Sequence, residues 1–164
     1  AGTYRLPEAQ LDRFLMKTSV GYPDRAAAIE VLAGSANPDR TRNLRPIIST
    51  TAIGEMADLA KENHADEAVL GYVQGLAEAT RDDPSTVLGV STRGAIAMVR
   101  ASRVWAAAHG RNFVLPDDIK ELAAPVWTHR IVMSPEAEFT GATATDVIAR
   151  ALGSVAAPQR RGSR

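Results

Sequence analysis

GVSTRGAIAMVRASRVWAAAHGRNFVLPDDIKELAAPVW, residues 89–127, holds two helices and the turn between them. Ser91 is a suitable N-cap, and Gly110 stops the first helix at a position that favours glycine. The span between them is rich in alanine, so neighbouring helices can approach closely. Pro116-Asp117-Asp118 opens the second helix, with proline in the first turn and acids at the positive end of the dipole. Ile119, Leu122, Ala123 and Val126 then recur at i, i+3, i+4, i+7, and Pro125 is expected to kink or end the run. Such faces need partners of the same kind, which predicts a bundle.

The flanks supply them. Ser49, Thr50 or Thr51 can cap a helix running to about Lys61, with Ile53, Met56, Ala57 and Ala60 on one face. Another is expected from Ala65 or Asp66 to about Arg81, on the apolar face of Val69, Tyr72, Val73 and Leu76. A short helix near Thr145–Leu152 closes the set, and only NFV (112–114) and HRIVM (129–133) could be short strands. Residues 47–158 therefore read as a helical domain.

Residues 1–34 have a different texture. PEAQLDRF (7–14) suggests a short helix, and FLMKTSV (14–20) alternates Phe14, Met16, Thr18 and Val20 as a strand would. PDRAAAIEVLAG (23–34) is a helix with Ala26, Ile29, Leu32 and Ala33 at helical spacing. One strand cannot make a sheet, so this stretch reads as a truncated piece of an α/β domain. SANPDRTRNLRP (35–46) is polar, with two prolines and three arginines, and is taken as the linker. The fold class expected is mainly α: a helical bundle preceded by a helix–strand–helix fragment.

The chain has 164 residues, with 19 Lys plus Arg against 19 Asp plus Glu. Residues 159–164 hold three of those arginines and no acid, so the body is mildly acidic and the tail, expected to be disordered, is basic. That balance argues against a generic nucleic-acid binder. Cysteine is absent, which excludes disulfide and thiolate chemistry and suits a reducing, cytoplasmic setting. No apolar run approaches the roughly 18 residues of a membrane span. The chain opens Ala1-Gly2-Thr3-Tyr4 rather than with Met, as a piece of a longer protein would.

Ordinary catalytic patterns are missing. His64, His109 and His129 show no metal-ligand spacing, and Asp82-Asp83 and Asp117-Asp118 lie at helix ends, where the dipole accounts for them. GVSTRGAI (89–96) has the glycine spacing of a phosphate-binding P-loop, but Ala95 and Ile96 stand where lysine and a hydroxyl are required. The chain therefore has no nucleotide site of its own. Two arginines stand out. Arg93 falls in the first turn after Ser91, where a cation opposes the dipole yet free N–H groups and a guanidinium could together hold a phosphate oxygen. Arg13 lies between a short helix and the strand, from where it could project toward another subunit. Ordinary pairing, of Arg93 with a nearby acid and of Arg13 with Asp12 or Glu8, stays open on these grounds.

GTYRLPEAQLDRFLMKTSVGYPDR (2–25) resembles the end of the ATPase core of MoxR-type AAA+ proteins, a group related to the magnesium-chelatase and MCM-like ATPases. The resemblance continues in order through EATR (78–81), GVSTRG (89–94), GRNFVLPDDIKELAAPVWTHRI (110–131) and SVAAP (154–158). It implies that residues 1–34 end an ATPase core and that 47–158 form its helical lid. It further implies that Arg13 is the arginine finger, reaching the γ-phosphate of ATP on the adjacent subunit. Arg93 would be sensor 2, reading phosphates bound by its own subunit. A finger in trans is worth about 10³–10⁵ in rate. His129 and Arg130 match the family's HR pair without an assigned role.

The P-loop, Walker B acids and sensor 1 of such ATPases are absent from these residues. ATP and Mg2+ are therefore expected in the full-length parent and not tightly bound to this segment alone. The resemblance implies a ring, hexameric in this group, chaperone-like remodelling of a protein client, and a partner carrying a von Willebrand A domain. Two rivals remain. A stand-alone helical interaction module would pack its first 34 residues onto the bundle, whereas the lid reading leaves FLMKTSV without a partner in this chain. A DNA-associated motor would use the arginine tail on phosphate.

Overall fold

The computed structural model describes residues 6–34 and 44–159. Of the expected linker, only 44–46 fall within that range, and they form neither helix nor strand. Apart from residue 159, the basic tail lies outside it.

The bundle forms as its capping signals direct. Ser49 caps α3 (Thr50–Glu62), Asp66 caps α4 (Glu67–Arg81) and Ser91 caps α5 (Thr92–Ala108), each side chain accepting a main-chain N–H three residues on. Helix α6 (Pro116–Trp127) is followed by a single 3-10 turn, Thr128–Arg130. Helix α8 (Ala144–Ser154) is capped by Thr143. Before them come α1 (Glu8–Leu11) and α2 (Arg25–Ala33), and α7 (Pro135–Phe139), which the sequence reading missed, precedes α8.

Helices α4, α5, α6 and α8 enclose one core, centred on Leu76, Met98, Ile119, Val126, Trp127 and Val147. The alanines of α5 (Ala95, Ala97, Ala101 and Ala106) sit in it, as close packing of that helix requires. A two-stranded antiparallel ribbon joins β1 (Thr86–Leu88) to β2 (Val132–Met133), with Thr86 opposite Met133 and Leu88 opposite Val132. HRIVM thus contributes a strand, whereas NFV supplies only an isolated bridge between Phe113 and His64.

Three expectations need correcting, and α2 stands exposed as part of a fragment would. Residues 14–20 are not a strand, because no ladder partner exists among the described residues. Pro125 does not end α6, which runs on to Trp127. A proline so near the last turn disrupts little beyond its own missing N–H, and its carbonyl accepts the main-chain N–H of Lys17 at 2.8 Å. Of the α3 face expected in the core, only Ala60 is buried, while Ile53 and Met56 are exposed. The α2 face is not buried at all: Leu32 is 71% exposed, and Val20 and Tyr22 before it are 99% and 100% exposed.

Candidate functional site

Two loops and a turn converge at the N-terminus of α5. The first loop, 89–91, is held down by the end of α4. Thr80 Oγ1 accepts the N–H of Val90 at 3.0 Å, and Arg81 Nε donates to the Val90 carbonyl at 2.7 Å. Gly89 lies so close to this helix end that a Cβ would stand 2.6 Å from the Arg81 Cα, a contact no side chain can make. EATR and GVSTRG are therefore two halves of one lock. The lock aims the first turn of α5, where Ser91 Oγ accepts from the Gly94 N–H and Trp127 Nε1 donates to the Gly94 carbonyl at 3.0 Å.

The second piece is the LDRF segment after α1. Asp12 accepts from Ser91 Oγ at 3.0 Å and lies 3.4 Å from Arg130 Nε. The Phe14 carbonyl accepts from both terminal nitrogens of Arg130, at 2.9 and 2.6 Å. Arg130 Nη1 also lies 2.5 Å from His129 Nε2, and the same ring nitrogen lies 3.1 Å from the Phe14 carbonyl. Burial lowers the His129 pKa, and the nearby cations Arg130 and Lys17 add to that, so neutrality is favoured. Burial also lowers the pKa of Arg130.

Between these pieces lies an open cleft of about 540 Å³. Arg13, Arg93, Arg100 and Arg130 all line it, beside Asp12 and the apolar Ile96. The structure thus brings the two arginines singled out in the sequence to one place. Neither guanidinium makes a hydrogen bond or ion pair with another described residue. Asp12, the acid beside Arg13, is engaged by Ser91 and Arg130 instead. With its one lining acid so occupied, the cleft is cationic, and it opens at the positive end of α5. Such a donor set suits a phosphate or another compact polyanion. Among the described residues no group of three or more His, Cys, Asp or Glu could hold a metal ion.

Sequence reasoning missed Arg100, although Arg93, Ile96, Ala97, Arg100 and Val104 follow one another at helical spacing along a single face of α5. It found the His129–Arg130 pair without a role, since nothing in local spacing links those residues to position 14. Farther off, Arg111 grips Asp118 through two bonds of 2.8 and 2.6 Å, and Asp118 also accepts the Leu115 N–H at the start of α6. The GR-x-F-V-x-PDD run is thus a structural staple.

The helices that form the core and open this cleft fall largely within a stretch of the AAA lid class. Residues 78–151 match the family model described as the AAA lid domain. The chain is 36% identical over 162 residues to the uncharacterised protein YeaC of Bacillus subtilis, an alignment covering 99% of this chain and 51% of that protein. It is 34% identical over 169 residues to the chaperone MoxR1 of Mycobacterium tuberculosis, covering 96% of this chain and 44% of that one. Its fold superposes on a crystal structure of an assigned ATPase from Cytophaga hutchinsonii with a TM-score of 0.84 and 32% identity, over 97% of this chain and 51% of the other. The chain belongs to the MoxR family of AAA+ ATPases and has the make-up of its carboxyl-terminal part. It spans about half the length of the relatives it matches.

Proposed function

We propose that the chain is the end of an ATPase core (1–34), a linker (35–46) and the lid (47–158) of a motor that couples ATP hydrolysis to remodelling of a protein partner. Arg13 is its arginine finger, acting on a neighbouring subunit's nucleotide, and Arg93 its sensor 2, acting on its own. The observation that carries the reading is that each guanidinium, unpaired among the described residues, opens into a cationic cleft at the start of α5 and is available to meet phosphate. ATP, with Mg2+ bound elsewhere in the parent, would supply the scissile phosphoanhydride. What this chain contributes is charge: guanidinia placed to stabilise negative oxygens as the γ-phosphate leaves. The exposed apolar side chains of Val20, Tyr22 and Leu32 support the core assignment, since a buried sheet and helix layer is where such residues belong.

The expected assembly is a hexameric ring with a partner carrying a von Willebrand A domain. In the full-length ATPase, Arg13→Ala is expected to lower kcat by about a thousandfold or more while nucleotide binding persists. Arg93→Ala is expected to weaken binding or coupling. Normal turnover by both variants defeats the assignment. The shared cleft favours a second reading, in which both arginines meet one phosphate. Mixing subunits that carry Arg93→Ala with subunits unable to bind ATP decides between them. The only pockets able to bind ATP then belong to Arg93→Ala subunits: hydrolysis stays lost if Arg93 acts in cis, and is regained beside the neighbour's intact Arg93 if it acts in trans.

The interaction-module alternative expected residues 1–34 to pack as an integral element. Among the described residues of this stretch, Asp12, Phe14 and Lys17 are hydrogen-bonded to the bundle and α1 lies against the Thr128–Arg130 turn, while α2 buries none of its residues.

A further inference from the structure

Arg130 is a cation whose side chain is only 2% exposed. A guanidinium is a poor choice for filling a core, because removing it from water is unfavourable unless its donors are matched. Its matches are unusually placed. Nη1 and Nη2 close on the carbonyl of Phe14, and Nε, which makes no hydrogen bond, is ion-paired with the carboxylate of Asp12 at 3.4 Å. These are the two residues that flank Arg13. At its other end, the stem of Arg130 runs under the residue that follows Arg93: a Cβ on Gly94 would sit 2.9 Å from Arg130 Cδ. Asp12 closes the circuit by accepting from Ser91, the cap of the helix that carries Arg93.

We infer that Arg130 is a positioning residue: by gripping both neighbours of Arg13 while packing under Gly94, it sets Arg13 against Arg93 across the cleft. The grip also ties a segment before the linker to a turn after α6, so that the two arginines move as one body. A lysine could not do this, since it has no planar fork to span a carbonyl and a carboxylate together. The effect on hydrolysis rests on the proposed finger role of Arg13; the grip itself does not.

Two measurements separate these. In this chain, the Lys17 amide, which donates to the Pro125 carbonyl, reports whether the segment stays docked. Hydrogen exchange at that amide should quicken about ten- to a hundredfold in Arg130→Ala, the range expected for losing hydrogen bonds to a charged group. It should quicken in the same direction in Asp12→Asn, which leaves the core intact. Exchange within α4 should not change in Asp12→Asn. An unchanged Lys17 amide in Asp12→Asn, or in both variants, overturns the grip.

In the full-length ATPase, Arg130→Lys should regain the thermal stability lost in Arg130→Ala without regaining kcat. The KM for ATP should stay within about twofold, because positioning for charge development acts on the transition state. Full kcat in Arg130→Lys, or a raised KM with kcat intact, overturns the positioning role. If Arg13→Ala hydrolyses ATP normally, the finger reading fails, while the Lys17 amide still decides the grip.

Discussion

Asp83 shows how much one side chain contributes to holding this fold together. It lies just beyond α4, and its carboxylate takes two bonds from Arg150 of α8, at 2.8 and 2.9 Å, and one from the Ser85 N–H. The Arg150 contact, with help from Ser85, holds its pKa at about 2, below an ordinary 3.8. A depressed carboxylate stabilises the fold above its unfolded value and loses that contribution as pH falls through the folded one. Acid unfolding should therefore show an Asp83-dependent loss between pH 3.8 and about 2. Asp83→Asn should flatten it, and an unchanged acid limb in that variant contradicts the assignment. Trp127 makes a second residue-scale case. Its buried indole donates to the Gly94 carbonyl, which also serves the α5 ladder, so Trp127→Phe removes that second bond and leaves a void. Chemical denaturation should show a loss of about 2–4 kcal/mol.

At the scale of elements, the two contacts that aim α5 and α6 are both close approaches rather than bulk burial. Gly89 can touch the end of α4 because it lacks a Cβ. Gly89→Ala must therefore shift main chain, and a loss of about 1–3 kcal/mol is expected, with Arg93 misplaced. Binding of a phosphate analogue to the full-length ATPase should weaken along with it. Asp118 is the counterpart for α6, capping its start and pairing with Arg111, so Asp118→Ala is expected to lose about 3 kcal/mol by leaving Arg111 alone. A melting temperature unmoved by Asp118→Ala would show the staple to be dispensable. Helix α6 also explains why Pro125 was misread. Its ring removes one bond near the helix end, and its own carbonyl is used by Lys17, a partner no local pattern could indicate.

For the whole molecule, the apolar residues divide into two populations with different fates. Leu76, Met98 and Val147 are fully buried, whereas Tyr22 and Leu32 face solvent. Leu76→Ala should lower the stability of this chain by about 2–5 kcal/mol, while Leu32→Ser should change it by no more than about 0.5 kcal/mol. In the full-length ATPase, Leu32→Ser should be destabilising, as a substitution inside the core of the parent. Equal effects in both settings would argue that α2 has no further partner. The bundle itself was legible from residues alone, because caps such as Ser91 and Asp66 and the spacing of Val69, Tyr72, Val73 and Leu76 act within a single helix. The strand expected at 14–20 was not, because alternation marks a surface that fits a sheet and cannot supply the neighbouring strand. The site was half legible. Arg13 and Arg93 were recognisable by motif, but Arg100 and the grip of Arg130 were not. What the sequence determined by itself was helix and cap, through interactions a few residues apart. What only the tertiary structure decided was that Asp12, Phe14, Ser91, Gly94 and Arg130 meet, since contacts between residues as far apart as 79 and 116 positions depend on how the helices pack.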